Sequence, residues 1–281
     1  MEQIRNLCVP TVDLFARYGL EGVPSFDDDD QAIGRLAAEH LRQRGFRHFG
    51  FFGFPGVHYS DNRGRYFAES LAAQGLEVHV YIPHGRLPDR SAQAEFRALT
   101  DSVRIRQWVS SLPTPIGILA SNDQRAQHLL QVCADAGVLV PEEVAVLGVD
   151  NDDAVCGLCD PSLSSVEPDT QLMGFEAART LAAMLCGEPV TDDRRLIPPR
   201  GLVVRKSTDI IVTADRTSAE ALRLIREHAF SGAPISEILA PLEVSRSTRE
   251  RRFRELFGRS PKAKLRPHFG ERSGVTPTAF W

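Results

Sequence analysis

The chain lacks any run of uncharged apolar residues approaching the roughly 18 that a bilayer-spanning helix needs, so no membrane partner is expected. Its start, MEQIRNLCVPTVD, has no basic stretch followed by an apolar run, so an export leader is not expected either. Cysteine is scarce: five in 281 residues, an odd number without framework spacing. That excludes a disulfide scaffold and suits a reducing cytoplasm. Cys156-Gly-Leu-Cys159 fits a CxxC formula, but no second pair completes a zinc site, so the two cysteines read as incidental. GxxxxGK(S/T), GxSxG and HExxH are all absent, and Gly50, Gly53 and Gly56, three apart, do not make GxGxxG. The eight histidines are scattered. Without a phosphate loop, a nucleophile elbow or a metal-ligand pair, no enzyme, cofactor, metal or catalytic residue is expected.

What is present is an ordinary soluble composition, 42% apolar and 25% charged, long enough for two units. From residue 25 to about 205, short apolar runs alternate with helical periods. Asp27 to Asp30 precede AIGRLAAEHLRQR, which Gly45 stops; four acids there satisfy free N–H groups and match the positive end of the helix dipole. Cation binding by the four is a weaker alternative. FGFFGF (49–54) and VHVYI (78–82) read as strands, and residues 91–110 as an amphipathic helix. PIGILAS (115–121) and VAVLGVD (144–150) are continuous apolar strands flanking a helix that Gly137 ends. Such strands separated by helices argue a parallel α/β sheet covered on both faces. PSLSSVEPD leads into a helix through Met184, and Pro- and Arg-rich extended segments run to about Lys206. Residues 207–216 read as a linker, after which only helical patterns follow.

In open α/β sheets, ligands sit beyond the carboxyl ends of strands. Three polar groups fall there: Asn122-Asp123, Asp150, and an Asp61-Asn62-Arg63 loop. Carboxylate, amide and guanidinium can each grip adjacent hydroxyls of a polyhydroxy ligand. Equally, strand-end Asp and Asn cap the helices that follow, and spacing alone leaves both readings open.

The other concentration of chemistry is Ile235 to Pro261. Between Arg246 and Arg266 stand nine Arg or Lys against two Glu, a local +7 in a chain of net −4, which leaves −11 elsewhere. An acidic protein with its positive charge on one helical hairpin suits a polyanion, DNA above all. Ser247-x-x-Glu250 is a capping box, and Phe253, Leu256 and Phe257 form an apolar stripe. Arg246, Ser247, Glu250, Arg251 and Arg254 fall opposite it, where a recognition helix meets the major groove.

Several of these stretches resemble known families. AAEHLRQRGFRHFGFFG, Arg63-x-x-x-Phe67, ASNDQRA, VAVLGVDNDD and DPSLSSVEPD resemble the sugar-binding domain of LacI/GalR-type repressors and periplasmic sugar-binding proteins. The resemblance implies a periplasmic-binding-protein-like sensor over residues 1–206, with sugar contacts at Arg63, Asn122 and Asp150. Residues 217–261, with the RRF…LFGRSP ending, resemble the first helix-turn-helix of AraC-type activators. The order of the two is similar to the xylose-operon regulator group. It implies a sugar-responsive transcription regulator whose partners are operator DNA, a pentose such as xylose, a second copy of the chain, and RNA polymerase. The runner-up is a sugar-binding protein, or a remnant, without DNA binding.

Three departures stand out. Position 249 is usually leucine in the AraC-type family; here it is arginine, which costs about 1–3 kcal/mol unless it snorkels outward. Phe253-x-Glu-x-x-Gly258-x-Ser-Pro261 recurs as Phe269-x-Glu-x-x-Gly274-x-Thr-Pro277, far too soon for a complete second helix-turn-helix, so only its tail is expected within 217–281. Val9-Pro-Thr-Val-Asp13 resembles a strand well inside the sensor, which implies that roughly the first hundred residues of that domain are missing, including much of its N-terminal lobe.

Overall fold

The computed structural model describes residues 9–15, 22–82, 102–191 and 193–210, together with 212 and 224. The chain divides into two compact units, Met1–Ile210 and Ile211–Trp281, and every element below belongs to the first. The sequence-predicted helix-turn-helix, with Arg246, Ser247, Glu250, Arg251 and Arg254, lies outside the described residues.

In chain order the elements are β1 (Asp13–Leu14), β2 (Ser25–Asp28), α1 (Asp30–Gln43), β3 (His48–Phe52), α2 (His58–Ala72) and β4 (Val78–Val80). There follow α3 (Ser102–Ser111), β5 (Ile116–Ala120), α4 (Asp123–Ala136), β6 (Val144–Val149), α5 (Asp153–Leu158), β7 (Ser164–Glu167), α6 (Thr170–Leu185), β8 (Arg194–Ile197) and β9 (Gly201–Val203). A 3-10 turn, Lys206–Thr208, follows β9.

The larger sheet has the order β4-β3-β5-β6-β7-β9, parallel as far as β7 and closed by antiparallel β9. Its centre is where the sequence is continuously apolar: every residue of β5 and β6 is buried. Ile105 and Val109 of α3 and Leu129, Val132 and Cys133 of α4 pack onto it. Helix α4 opens at Asn122, whose Oδ1 accepts from the Arg125 N–H, and ends at Gly137 with φ 70°, a left-handed cap that favours glycine. A second, three-stranded sheet, β1-β2-β8, is wholly parallel. Phe26 and Ile197 from it bury against Met173 and Ala177 of α6.

Helices α1 and α2 touch through backbone. A Cβ added at Gly34 would lie 2.7 Å from the Phe67 nitrogen and 2.9 Å from the Tyr66 carbonyl carbon. Only glycine allows that approach, and it sets the first half of α1 against the middle of α2. At its other end α1 meets the last described segment of the unit. His40 Nε2 is 2.9 Å from Thr208 Oγ1, and Arg44 Nε donates to the Thr208 carbonyl at 2.6 Å. Burial, and then the Arg44 charge, push the His40 pKa down to about 3. Ser207 and Thr208, placed by the sequence reading at the start of a linker, are fully buried in this unit.

Two local expectations are corrected. The acidic run 27–30 is not a row of helix caps. Only Asp29 caps, accepting from the Ala32 N–H; Asp27 and Asp28 end strand β2, and Asp30 turns to an arginine of α2. Asp61, Asn62 and Arg63 do not form a loop but lie in the first turns of α2.

Candidate functional site

Arg63 is the centre of the site. Its side chain is only 3% exposed, and four hydrogen bonds hold the guanidinium. Nε donates to Asp30 Oδ1 at 3.1 Å and Nη2 to Asp28 Oδ2 at 2.9 Å. Nη1 donates to the Ser121 carbonyl at 2.7 Å and to Asp150 Oδ1 at 3.3 Å. The guanidinium thus ties the end of β2 and the start of α1 to the carboxyl ends of β5 and β6.

One cation faces three carboxylates. Burial opposes the charge on Arg63, but Asp150, Asp30 and Asp28 outweigh it and hold the guanidinium protonated. A single guanidinium cannot do the same for three buried acids. Burial raises Asp28, against the pull of Arg63, and lifts Asp30 to about 6. Asp150 is raised to about 7, first by desolvation and then, beyond the opposing pull of Arg63, by Asp123 and Asp28. Since 47% of the Asp150 side chain is exposed, water moderates that rise.

Asp150 sits on a strained turn. Its φ is 114° and that of Asn151 is 50°, conformations that side-chain-bearing residues rarely adopt. The turn is held from below. Asp123 Oδ1 accepts from Ser165 Oγ at 2.6 Å, and Oδ2 accepts from the Asp152 N–H at 2.8 Å and from Cys156 Sγ at 3.2 Å. Ser165 Oγ in turn accepts from the Asn151 N–H at 3.0 Å. Asp123, paired in sequence with Asn122, is therefore a buried brace beneath the site. Cys156 serves the same brace: burial and the Asp123 charge push its thiol well up, away from redox reactivity.

Asn122 does two things at once. Its Oδ1 caps α4 while Nδ2 donates to the Tyr59 hydroxyl at 3.3 Å, and the Arg63 guanidinium lies 5.0 Å from the Tyr59 ring centroid. The structure therefore brings Arg63, Asn122 and Asp150 to one place at the strand ends. The sequence reading missed Asp28, Asp30, Ser121 and Tyr59 as members. Two of them sit in an acidic run that looks like capping, and no local spacing ties any of them to Arg63.

The set holds no nucleophile beside a base. Among the described residues, no three His, Cys, Asp or Glu side chains are grouped to hold a metal ion, and no helix is long and apolar enough to cross a membrane. Carboxylates, an amide, a phenol and a guanidinium gathered at the strand ends are groups that can hydrogen-bond hydroxyls.

Comparison with known proteins gives a consistent picture. Residues 38–208 match the model of the periplasmic binding protein-like domain. The xylose operon regulatory protein of Escherichia coli is 31% identical over 271 residues, covering 94% of this chain and 67% of that protein. The protein of the same name from Haemophilus influenzae is 31% identical over 262 residues, covering 90% of this chain and 66% of its own length. A solved structure described as the xylose-binding transcription activator xylR superposes with a TM-score of 0.70 at 30% identity, over 95% of this chain and 70% of that one. The chain thus spans about two thirds of the length of the curated relatives.

Proposed function

The chain belongs to the periplasmic-binding-protein-like family, alongside the xylose operon regulatory proteins, and from that premise we propose that it is a sugar-responsive transcription regulator rather than an enzyme. Its first unit binds a pentose such as xylose. Residues 217–281, within the second unit, are an AraC-type reader that carries Arg246, Ser247, Glu250, Arg251 and Arg254 to operator DNA. Two copies act together and communicate with RNA polymerase.

The observation that carries the sugar-binding half is the meeting of Arg63, Asn122 and Asp150 at the strand ends. Asp150 has one oxygen on Arg63 and a partly exposed carboxylate, so it accepts from ring hydroxyls. Asn122 offers its amide beside the Tyr59 phenol. Arg63 fixes Asp150 and keeps the acidic site from repelling an electron-rich ligand. A neutral polyol suits this surface, because it supplies donors to carboxylates without adding charge. The +7 segment supports the DNA-binding half, since positive charge concentrated in one segment of a net-acidic chain gives phosphates a single place where attraction outweighs the repulsion of the other acids.

The test is fluorescence anisotropy of the full chain on duplex DNA from its own upstream region, across a salt series, with and without D-xylose. The expected result is a linear fall of log affinity with log salt, and a sugar-dependent change in affinity at fixed salt. A flat salt response would remove phosphate contacts. Binding of sugar with no DNA retention would leave a sugar-binding protein alone.

A further inference from the structure

Among the buried atoms that Arg63, Asn122 and Asp150 leave unexplained near this site, two belong to residues that hold Arg63 itself. Among the described residues, Asp28 Oδ1 and Ser121 Oγ have no hydrogen-bond partner, though Asp28 is 6% exposed and Ser121 fully buried. Both residues already touch the guanidinium, Asp28 through Oδ2 and Ser121 through its carbonyl. The Ser121 N–H is taken by the Phe52 carbonyl at 3.0 Å, which leaves the hydroxyl as its one unused group. Buried polar atoms are rarely left unsatisfied, and two at one arginine call for a common partner.

We propose that Asp28 and Ser121 are further ligand-contacting residues, each meeting a hydroxyl of the sugar and together deciding which hydroxyl pattern the site accepts. This rests on the sugar-binding reading above. An ionised carboxylate is acceptor-only, so the second oxygen of Asp28 requires a donor, which a ring hydroxyl supplies. Ser121 both donates and accepts, so it suits a hydroxyl that a neighbouring carboxylate has already engaged. Their positions are complementary. Ser121 follows β5 of the large sheet, beside Asn122, whereas Asp28 ends β2 of the small sheet. Asp28 therefore gives the ligand a contact from the second sheet. A sugar touching both sheets is enclosed, and a site built to hydrogen-bond a particular hydroxyl rejects the analogue lacking it far more strongly than an apolar pocket rejects a missing methyl.

The experiment is calorimetric titration of the full chain with D-xylose and the series of monodeoxy xyloses, for the wild type, Asp28→Asn and Ser121→Ala. The wild type is expected to bind at least one deoxy analogue about tenfold or more weakly than xylose. In Asp28→Asn, an amide N–H replaces the free oxygen; xylose affinity falls about tenfold or more, and the penalty for one particular missing hydroxyl disappears while the others persist. Ser121→Ala erases the penalty for its own hydroxyl. Its unliganded melting temperature is unchanged or higher, because a buried hydroxyl without a partner is removed. That pairing separates a contact from a structural role, and it carries the test alone if Asp28→Asn does not fold. Unaltered deoxy penalties in the variants would overturn the proposal while leaving sugar binding intact. A folded wild type that binds none of these sugars would overturn both.

Discussion

Arg63 is a buried cation held by a surplus of buried anions, and its removal has a consequence with a definite pH dependence. Arg63→Met would leave Asp28, Asp30 and Asp150 facing one another without a counter-ion. Breaking a buried ion pair by deleting one partner costs about 3–5 kcal/mol, and this deletion strips three. The carboxylates already stand above their unfolded values with the arginine present. Without it they rise further, so between about pH 4 and those raised values the folded variant holds protons that the unfolded chain has already released. A raised acid pKa stabilises the fold as pH falls from the folded value toward the unfolded one. The variant is therefore expected to be most destabilised above pH 7 and to recover part of the loss by pH 5. Urea unfolding at pH 7.5 and 5.5 measures this; an equal loss at both would mean that the three acids do not share the cation.

At the scale of elements, the α1–α2 contact brings Asp30 to Arg63, and Gly34 permits it. Gly34→Ala would drive a methyl into the backbone of Tyr66 and Phe67, which unlike a side-chain tip cannot swing aside. A loss of about 1–3 kcal/mol is expected from chemical denaturation, with weaker ligand binding because Arg63 moves with α2. Unchanged stability would show that the two helices are not clamped. The same elements show what the sequence discloses. The strands β5 and β6 were legible because continuous apolar runs have few other uses, whereas strand-end position left capping open and only the family resemblance singled out Arg63, Asn122 and Asp150. The small sheet was legible only in part: the resemblance marked residues 9–13 as a strand and the segments up to Lys206 read as extended, but nothing showed that Ser25–Asp28 pairs with both. Strand β1 has two residues and β8 carries two arginines, so neither shows the period of a strand. Asp28 and Asp30 were misread for a related reason. Capping is a local interaction over three residues and is easily inferred, whereas their true partner lies more than thirty residues away, on a helix read as a loop.

For the molecule as a whole, the chain divides into two compact units. The first unit gathers acids around one arginine and closes with Ser207 and Thr208 locked into its interior; the second begins directly after, at Ile211. Helix α1 places Asp30 on Arg63 at one end, and His40 with the capping Arg44 on Thr208 at the other, so the site and the anchoring of Thr208 share one element. The measurement that bears most directly on this arrangement is the melting temperature of the full chain at pH 7.5, with and without millimolar D-xylose, for the wild type and for Asp150→Ala. A ligand that binds the folded state must raise the transition as its concentration exceeds the dissociation constant. The expected result is an upward shift with xylose in the wild type and none in Asp150→Ala. A cooperative wild-type transition that no pentose moves would contradict it.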